Sequence, residues 1–462
     1  IEGSRQLVIS KPGYQSQSMG LNLVRGESVT LPTFELKPAN GLIQLESEPS
    51  GAVVQANGEY IGETPLDYSL SPEQRYTFEV SKSGYEPQRE TLSLKPTEVR
   101  ALTLTLNPRL GRVMLTITPD DAELRVDGIL QPLNRRNLDL PARPQTLLIS
   151  KPGYASSAQI ITPQPDFEQS LSITLLTEAA AALARIPEEI ETSIGSRLRR
   201  ILPGEVALGA PRRDRGGRGN DVQRTVRLSN PYYLGITEIT NAQYAAFNPN
   251  HNPGVLGRTR LTTANRPVVG LSWKEAIAFC NWLSDRESLP RAYEVSGDSF
   301  RLITPRTEGY RLPTEAEWVR AGRYADGTGP SRFPWGDALP PPESFANLAD
   351  SAAMGLAPNI IADYADGFRG PAPVGHFEAN ALGIFDLSGN VAEWTHDRFS
   401  TARSTTVELD WMGPETGEVF VIRGSSFLTG TFSALRWAYR DSGREGRQDL
   451  GFRLARDVSR GD

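Results

Sequence analysis

The sequence predicts a multidomain protein, with N-terminal all-β sandwich repeats followed by an irregular α+β domain. Three observations predict it. A short phrase recurs in the first half at a spacing near 70 residues, the mark of a repeated unit. Hairpin-type dipeptides and short alternating stretches accompany each copy, which is the pattern of strands rather than helices. The second half instead carries three well-marked helix starts separated by stretches rich in Gly, Pro, Asn and Trp. At 462 residues the chain has room for about three domains of ordinary size.

The recurring phrase is Ser10-Lys11-Pro12-Gly13-Tyr14, Ser81-Lys82-Ser83-Gly84-Tyr85 and Ser150-Lys151-Pro152-Gly153-Tyr154. The tyrosines stand 71 and 69 residues apart. A second phrase keeps the same period: Pro49-Ser50-Gly51-Ala52 ahead of Asn57-Gly58, and Pro119-Asp120-Asp121-Ala122 ahead of Asp127-Gly128. Asn-Gly and Asp-Gly suit a type I′ hairpin turn, because both central residues take positive φ. Leu42, Gln44 and Glu46, and Val53 with Gln55, alternate as strand faces do; Tyr76–Val80 and Thr146–Ile149 are aromatic or β-branched runs. The Lys-x-Gly-Tyr phrase predicts a turn closed by Gly, with Tyr returning to the core.

These phrases resemble the PEGA domain, a small β-sandwich named after its Pro-x-Gly-Ala phrase. The resemblance covers residues 39–108 and 109–176, and residues 1–38 match only the latter half of a unit. It implies spacer or adhesive modules outside the cytoplasm, sometimes attached to membrane-anchored signalling proteins. The half unit raises the expectation of more protein upstream, including a membrane anchor.

Residues 177–197 change character. The run from Glu178 through four alanines is strongly helix-forming. Pro187 interrupts it or opens a second helix. Ile190, Ile194 and Leu198 fall at i, i+4 and i+8, one helical face, so a second connector helix is expected.

Each helix start of the second half is a capping box, in which a hydroxyl and a Glu or Gln satisfy orphan N–H groups reciprocally. They are Thr240 with Gln243, Ser272 with Glu275, and Thr314 with Glu317. Trp273, Trp282, Trp318, Trp335, Trp394 and Trp437 supply material for a large core.

Over residues 198–457 the chain resembles the formylglycine-generating enzyme, or sulfatase-modifying factor, family. The motifs run in order: Glu238-Ile-Thr-Asn241, Arg266-Pro-Val-Val269, Ser272-Trp273, Arg311-Leu-Pro-Thr-Glu-Ala-Glu-Trp318, Pro334-Trp-Gly336, Gly383-Ile-Phe-Asp386, Gly389-Asn-Val-Ala-Glu-Trp394, Arg423-Gly-Ser-Ser-Phe427 and Leu450-Gly-Phe-Arg453. The implied fold is an irregular α/β roll related to C-type lectins. In the active enzymes the Arg-Gly-Gly-Ser phrase leads into two copper-binding cysteines. Here those positions fall on Thr429 and Ala434. A hydroxyl and a methyl give soft Cu(I) no site, so no copper and no formylglycine generation are expected. The single cysteine, Cys280, lies in an apolar helical run, where a buried inert thiol is the reading.

The resemblance also implies two structural calcium sites. One uses Asn347, Leu348, Asp366 and Phe368; the other uses Gly389, Asn390, Val391 and Glu393. Oxygen-only sets suit a hard cation. The alternative is that Asn390 and Asp366 only cap turns. His376, Glu378 and His396 are candidate ligands for a non-haem iron. Without the cysteine pair, the former active-site face remains a candidate binding surface, built from Phe427, Phe432, Arg436, Tyr439 and Arg440, residue types favoured at interaction hot spots. Arg212, Arg213, Arg215 and Arg218 sit among glycines and read as a flexible basic loop, solvated by default, with an acidic partner as the lesser reading.

The net charge is −6, so the chain as a whole exerts no pull toward nucleic acid. No apolar run approaches the ~20 residues that span a bilayer. The function expected is a non-catalytic, extracytoplasmic interaction protein: PEGA spacers presenting an enzyme-like binding head to a protein partner. Two alternatives stand beside it. One is an oxidative, siderophore- or peptide-tailoring enzyme using non-cysteine residues. The other is the regulatory ectodomain of a larger membrane-anchored signalling protein.

Overall fold

The computed structural model describes residues 2–134, 136–165, 167–297, 299–327 and 331–458. The chain divides into two compact units, Ile1–Arg185 and Ile186–Asp462.

The first unit holds two β-sandwiches of one design. In the earlier, Gly41–Glu48 lies between Leu66–Leu70, antiparallel, and Val99–Thr105, parallel. The facing sheet runs Glu59–Glu63, Val53–Ala56, Tyr76–Ser81, Gln88–Leu92. The later copy repeats the design: Leu110–Thr118 lies between Asn137–Pro141 and Glu168–Thr174, facing Ile129–Gln131, Glu123–Val126, Gln145–Ser150 and Ser157–Ile161. Period-two alternation puts Ile43, Leu45, Val54, Phe78 and Val80 into the first core, and Val113, Leu115, Leu124, Leu147 and Ile149 into the second. Both predicted hairpin turns form. Asn57 and Gly58 have φ of 51° and 89°, and Asp127 and Gly128 have 46° and 82°. The Asn57 and Asp127 side chains each accept a backbone N–H from the neighbouring strand, Thr77 at 2.9 Å and Thr146 at 2.8 Å.

The Lys-x-Gly-Tyr phrase makes the same turn three times. Tyr14, Tyr85 and Tyr154 each donate N–H to the carbonyl of the phrase's lysine at 3.0 Å. Gly13, Gly84 and Gly153 take φ near 80°, which a β-carbon opposes. Tyr85 and Tyr154 pack against their cores. Residues 2–38 supply the hairpin Gly3–Ile9 with Gln17–Leu23, and no strand among them completes a sandwich.

Helix α1 (Glu178–Arg185) forms where the alanine run predicts it. The second connector helix does not. Glu189–Glu191 and Arg197–Ile201 are instead an antiparallel hairpin with Ile190 opposite Leu198. Gly195, φ 71°, closes its turn. Ile190, Ile194 and Leu198 still pack on the same core; a period of four serves a short hairpin as well as a helix, and β-branched residues with Gly favour the hairpin.

In the second unit a five-stranded sheet runs Glu189–Glu191, Arg197–Ile201, Tyr232–Gly235, Ala455–Asp457, Tyr310–Arg311, and a four-stranded sheet runs Asp441–Gly443, Phe420–Arg423, Ala392–Arg398, Leu450–Gly451. Helices α2 (Asn241–Ala245), α3 (Trp273–Arg286) and α4 (Glu315–Arg323) start at Thr240, Ser272 and Thr314, each with both capping-box hydrogen bonds made. Trp273, Trp318 and Trp394 are fully buried.

Three of the phrases read from the sequence, Arg311–Trp318, Gly389–Trp394 and Leu450–Arg453, contribute to an internal ion-pair frame. Arg453 grips Glu393 through Nε at 2.7 Å and Nη2 at 2.6 Å. Arg311 grips Glu317 at 2.6 and 2.7 Å and also reaches Asp457 at 2.6 Å. Arg440 grips Glu315 at 2.6 and 2.7 Å. All three arginines are buried, so each carboxylate offsets a charge that burial would otherwise make costly.

Candidate functional site

After strand Phe420–Arg423 the chain turns at Gly424, whose φ is 82°. A β-carbon there would come within 3.2 Å of the Trp318 ring. Arg423 then holds the returning chain by donating to the Trp437 carbonyl at 2.5 Å and to that of Tyr439. This clamp fixes residues 424–440 against α4.

Within that segment Thr429 is spent on local structure. Its hydroxyl accepts the Ser426 N–H at 3.0 Å, while the Ser426 hydroxyl donates to Asp449 at 2.8 Å. Ala434 lines a narrow crevice together with Leu387, Ser388 and Trp437. Cys280 sits in the core of α3 with Trp273, Ile277 and Leu283. Burial pushes its thiol far above the usual range, which keeps it protonated and unreactive.

The crevice opens onto a cleft of about 520 Å³ that shares Pro334, Leu387, Ser388 and Trp437 with it. The apolar lining is Trp335, Phe345, Phe377 and Trp437; Arg323, Glu378, Asn380, Asp386 and Ser388 are polar points on it. Asn380 shapes one wall, accepting the N–H of Leu382 and Ile384 and donating to the Ala321 carbonyl at 2.8 Å. Ser388 Oγ is buried and has no hydrogen-bond partner among the described residues. Burial lifts the Asp386 carboxyl to about 6, against the pull of the Gly375 N–H and Arg453. Behind it lies Glu238, fully buried, which accepts the Asn390 amide at 3.0 Å and is held protonated by burial and by the Asp386 charge. A concave, aromatic cleft with a few polar points is the ordinary form of a ligand site.

The surface residues read from the sequence divide. Phe427, Arg436 and Arg440 are not on a surface: all three are buried. Phe427 packs with Leu261, Val269 and Val391. Arg436 pairs with Asp214 at 3.0 Å and with Asp221, and Arg440 with Glu315. These partners lie far off in sequence, so residue type alone did not separate internal clamps from binding anchors. Phe432 and Tyr439 are partly exposed, each with a guanidinium over its ring: Arg215 at 4.9 Å and Arg218 at 5.2 Å. The arginine loop is therefore not a free one. It is strapped down through Asp214, Asp221, the Gly216 carbonyl and Asn220. The cleft itself was missed as a site. Its signal was present in Pro334-Trp-Gly336 and in Ile384 and Asp386 of the Gly383-Ile-Phe-Asp386 phrase, which line it.

The two calcium sets behave differently. Asp366 accepts the N–H of Leu348 and of Phe368, both at 2.8 Å, and its own N–H goes to Asp350 at 3.0 Å. Asp350 and Asp366 are both buried, no cationic side chain pairs with either among the described residues, and Asn347 Oδ1 is a buried acceptor without a partner. Two buried carboxylates beside an orphaned oxygen fit a hard cation. Asn347 and Asp366, with the carbonyls of Leu348 and Phe368, are the residues that would hold it, and it would tie two loops together. The second set does not fit. Both oxygens of Glu393 are taken by Arg453, with Trp318 Nε1 sharing one at 2.8 Å. The Asn390 side chain is likewise committed, to the Ala372 N–H and to Glu238, and Gly389 and Val391 supply only main-chain atoms beside it.

His376 and Glu378 are exposed, and the His376 ring packs on Phe368 and Phe377. His396 is elsewhere, beside Tyr293 at 3.3 Å, with its imidazole pushed down to about 3 by burial. Among the described residues no three His, Cys, Asp or Glu side chains come together as a metal-binding group.

Comparison with known proteins adds the following. The model of the sulfatase-modifying factor enzyme 1-like domain matches residues 186–458, and that of the PEGA domain matches residues 40–110. The formylglycine-generating enzyme of Mus musculus is 32% identical over 204 residues, 43% of this chain and 46% of the relative. The inactive C-alpha-formylglycine-generating enzyme 2 of Bos taurus is 30% identical over 202 residues, 42% of this chain and 50% of the relative. The chain thus spans about half the length of the curated relatives it matches. Among solved structures, Treponema denticola variable protein 1 is 25% identical with a TM-score of 0.47, covering 59% of this chain and 100% of that one.

Proposed function

The chain belongs to the sulfatase-modifying factor enzyme 1-like family, and from that premise we propose that it binds a protein segment in the Trp437 cleft without oxidising it. The observation that carries this reading is the state of the thiol positions. By the resemblance read from the sequence, Thr429 and Ala434 take the places of the family's cysteine pair, and the one thiol, Cys280, is fully buried on α3. The cleft needs no thiol: its aromatic walls remain available to a peptide. The PEGA repeats act as spacers outside the cytoplasm, holding the head toward its partner.

Selection of a phage-displayed peptide library against the whole chain tests this. Ala379 lines the cleft, and Ala379→Trp fills it from the rim. Enriched peptides should bind wild type and lose at least tenfold on the variant. Peptides indifferent to the variant, or no enrichment, would overturn the reading.

One observation favours a second reading, an acid–base tailoring enzyme. Asp386 lines the cleft, its carboxyl is lifted to about 6 by burial, and it is backed by Glu238, the poise of a general acid or base. Asp386→Asn would then abolish turnover of a bound peptide; under the binding reading wild type and variant alike leave the peptide's composition unchanged.

A further inference from the structure

The loop 211–221 sorts its charges. Its two acids face inward: Asp214 bridges Arg436 at 3.0 Å and Arg332 at 3.4 Å, and Asp221 takes the other arm of Arg436. Its arginines face outward: Arg212, Arg213, Arg215 and Arg218 are all exposed, and no carboxylate among the described residues pairs with any of their guanidiniums. The backbone is held on the segment below. Ser433 donates to the Gly216 carbonyl at 2.7 Å, Asn220 donates to the Arg440 carbonyl at 3.0 Å, and Arg440 donates back to the Asn220 carbonyl at 3.3 Å. Gly216, φ 79°, lies so close that a β-carbon would meet the Phe432 ring at 2.6 Å.

Two of the four cations are also oriented. Arg215 lies over Phe432 and Arg218 over Tyr439. A guanidinium laid on a ring keeps its N–H edge for a planar acceptor and loses less entropy when it binds one. The patch continues to the cleft through Arg332, whose carbonyl accepts the Trp437 N–H at 2.9 Å. Four arginines without a carboxylate partner among the described residues, on a chain of net charge −6, are a local feature, not a reflection of composition.

We propose that this strap, with Arg215 and Arg218 braced on Phe432 and Tyr439, is a docking surface for an acidic peptide segment of the protein whose other part enters the cleft. It rests on the binding reading above and names the partner's chemistry. Carboxylates match the fork geometry of stacked arginines. A long polyanion gains little over a short acidic segment, because beyond about 8 Å the field of the four arginines is screened.

Fluorescence anisotropy of a labelled octaglutamate peptide with the full chain tests it. Wild type should bind, more weakly as salt rises, with at least a tenfold loss in Arg212→Gln/Arg213→Gln and in Arg215→Gln/Arg218→Gln. The first pair makes no side-chain hydrogen bond or ion pair among the described residues, so its melting temperature should match wild type. Ala379→Trp should keep octaglutamate binding while losing cleft peptides, so failure of the strap and failure of the cleft are told apart. No binding, binding indifferent to both double variants, or tighter binding to duplex DNA or phosphatidylglycerol vesicles would overturn the proposal.

Discussion

Glu317→Gln gives a direct measure of the frame that holds the site. Glu317 serves twice: its carboxylate caps α4 by accepting the Thr314 N–H at 2.9 Å, and it receives both arms of Arg311 at 2.6 and 2.7 Å. Burial alone would raise its carboxyl, but the Arg311 charge and hydrogen bonds win and hold it down at about 2, against an ordinary 4.5. That difference is worth about 3 kcal/mol at 1.36 kcal/mol per unit. Because the folded value is the lower one, the contribution is complete above about pH 4.5 and is lost as pH falls toward 2. Glutamine keeps the shape and cannot carry the charge, leaving Arg311 with Asp457 alone. All seven tryptophans lie beyond residue 186, so urea unfolding followed by tryptophan fluorescence reports the second unit only. At pH 7 the variant should be less stable by about 3 kcal/mol, and the gap should close as pH approaches 2 to 3. An unchanged midpoint at pH 7, or a gap that widens in acid, would refute the reasoning.

Asp386 should show the opposite sign. Its folded value is raised to about 6 from 3.8, so wild type loses stability as pH rises between those values, and Asp386→Asn should overtake it above pH 6 by up to about 3 kcal/mol in the same urea assay. If Asn347, Leu348, Asp366 and Phe368 hold calcium, chelation lowers the melting temperature of the second unit in wild type and leaves Asp366→Asn unchanged; calorimetry with and without chelator reads both. Asn57→Val and Asp127→Val put β-branched residues at φ of 51° and 46°, and each should cost its sandwich about 1–2 kcal/mol, visible as a lower calorimetric transition for the first unit.

The parts legible in the sequence were those encoded over short spans. Asn57-Gly58 and Asp127-Gly128 specify their turns because the allowed φ is a property of those residues. The three capping boxes specify helix starts because donor and acceptor are three residues apart. The hairpin at Glu189–Ile201 was misread because spacing of four fits two structures, and only the pairing of Ile190 with Leu198 decides. Arg436 and Arg440 read as surface anchors because their partners, Asp214, Asp221 and Glu315, lie more than a hundred residues away. The cleft was hidden for the same reason: its walls come from around 323, 335, 378 and 437, which only the fold brings together.

The central claim is that the head binds without oxidising. Mass spectrometry of a cysteine-containing sulfatase-type peptide, incubated with the whole chain, copper and oxygen, addresses it most directly. The account predicts no aldehyde above a protein-free control, once any disulfide that copper and oxygen form by themselves has been reduced. Conversion of that cysteine to the formylglycine aldehyde would contradict it.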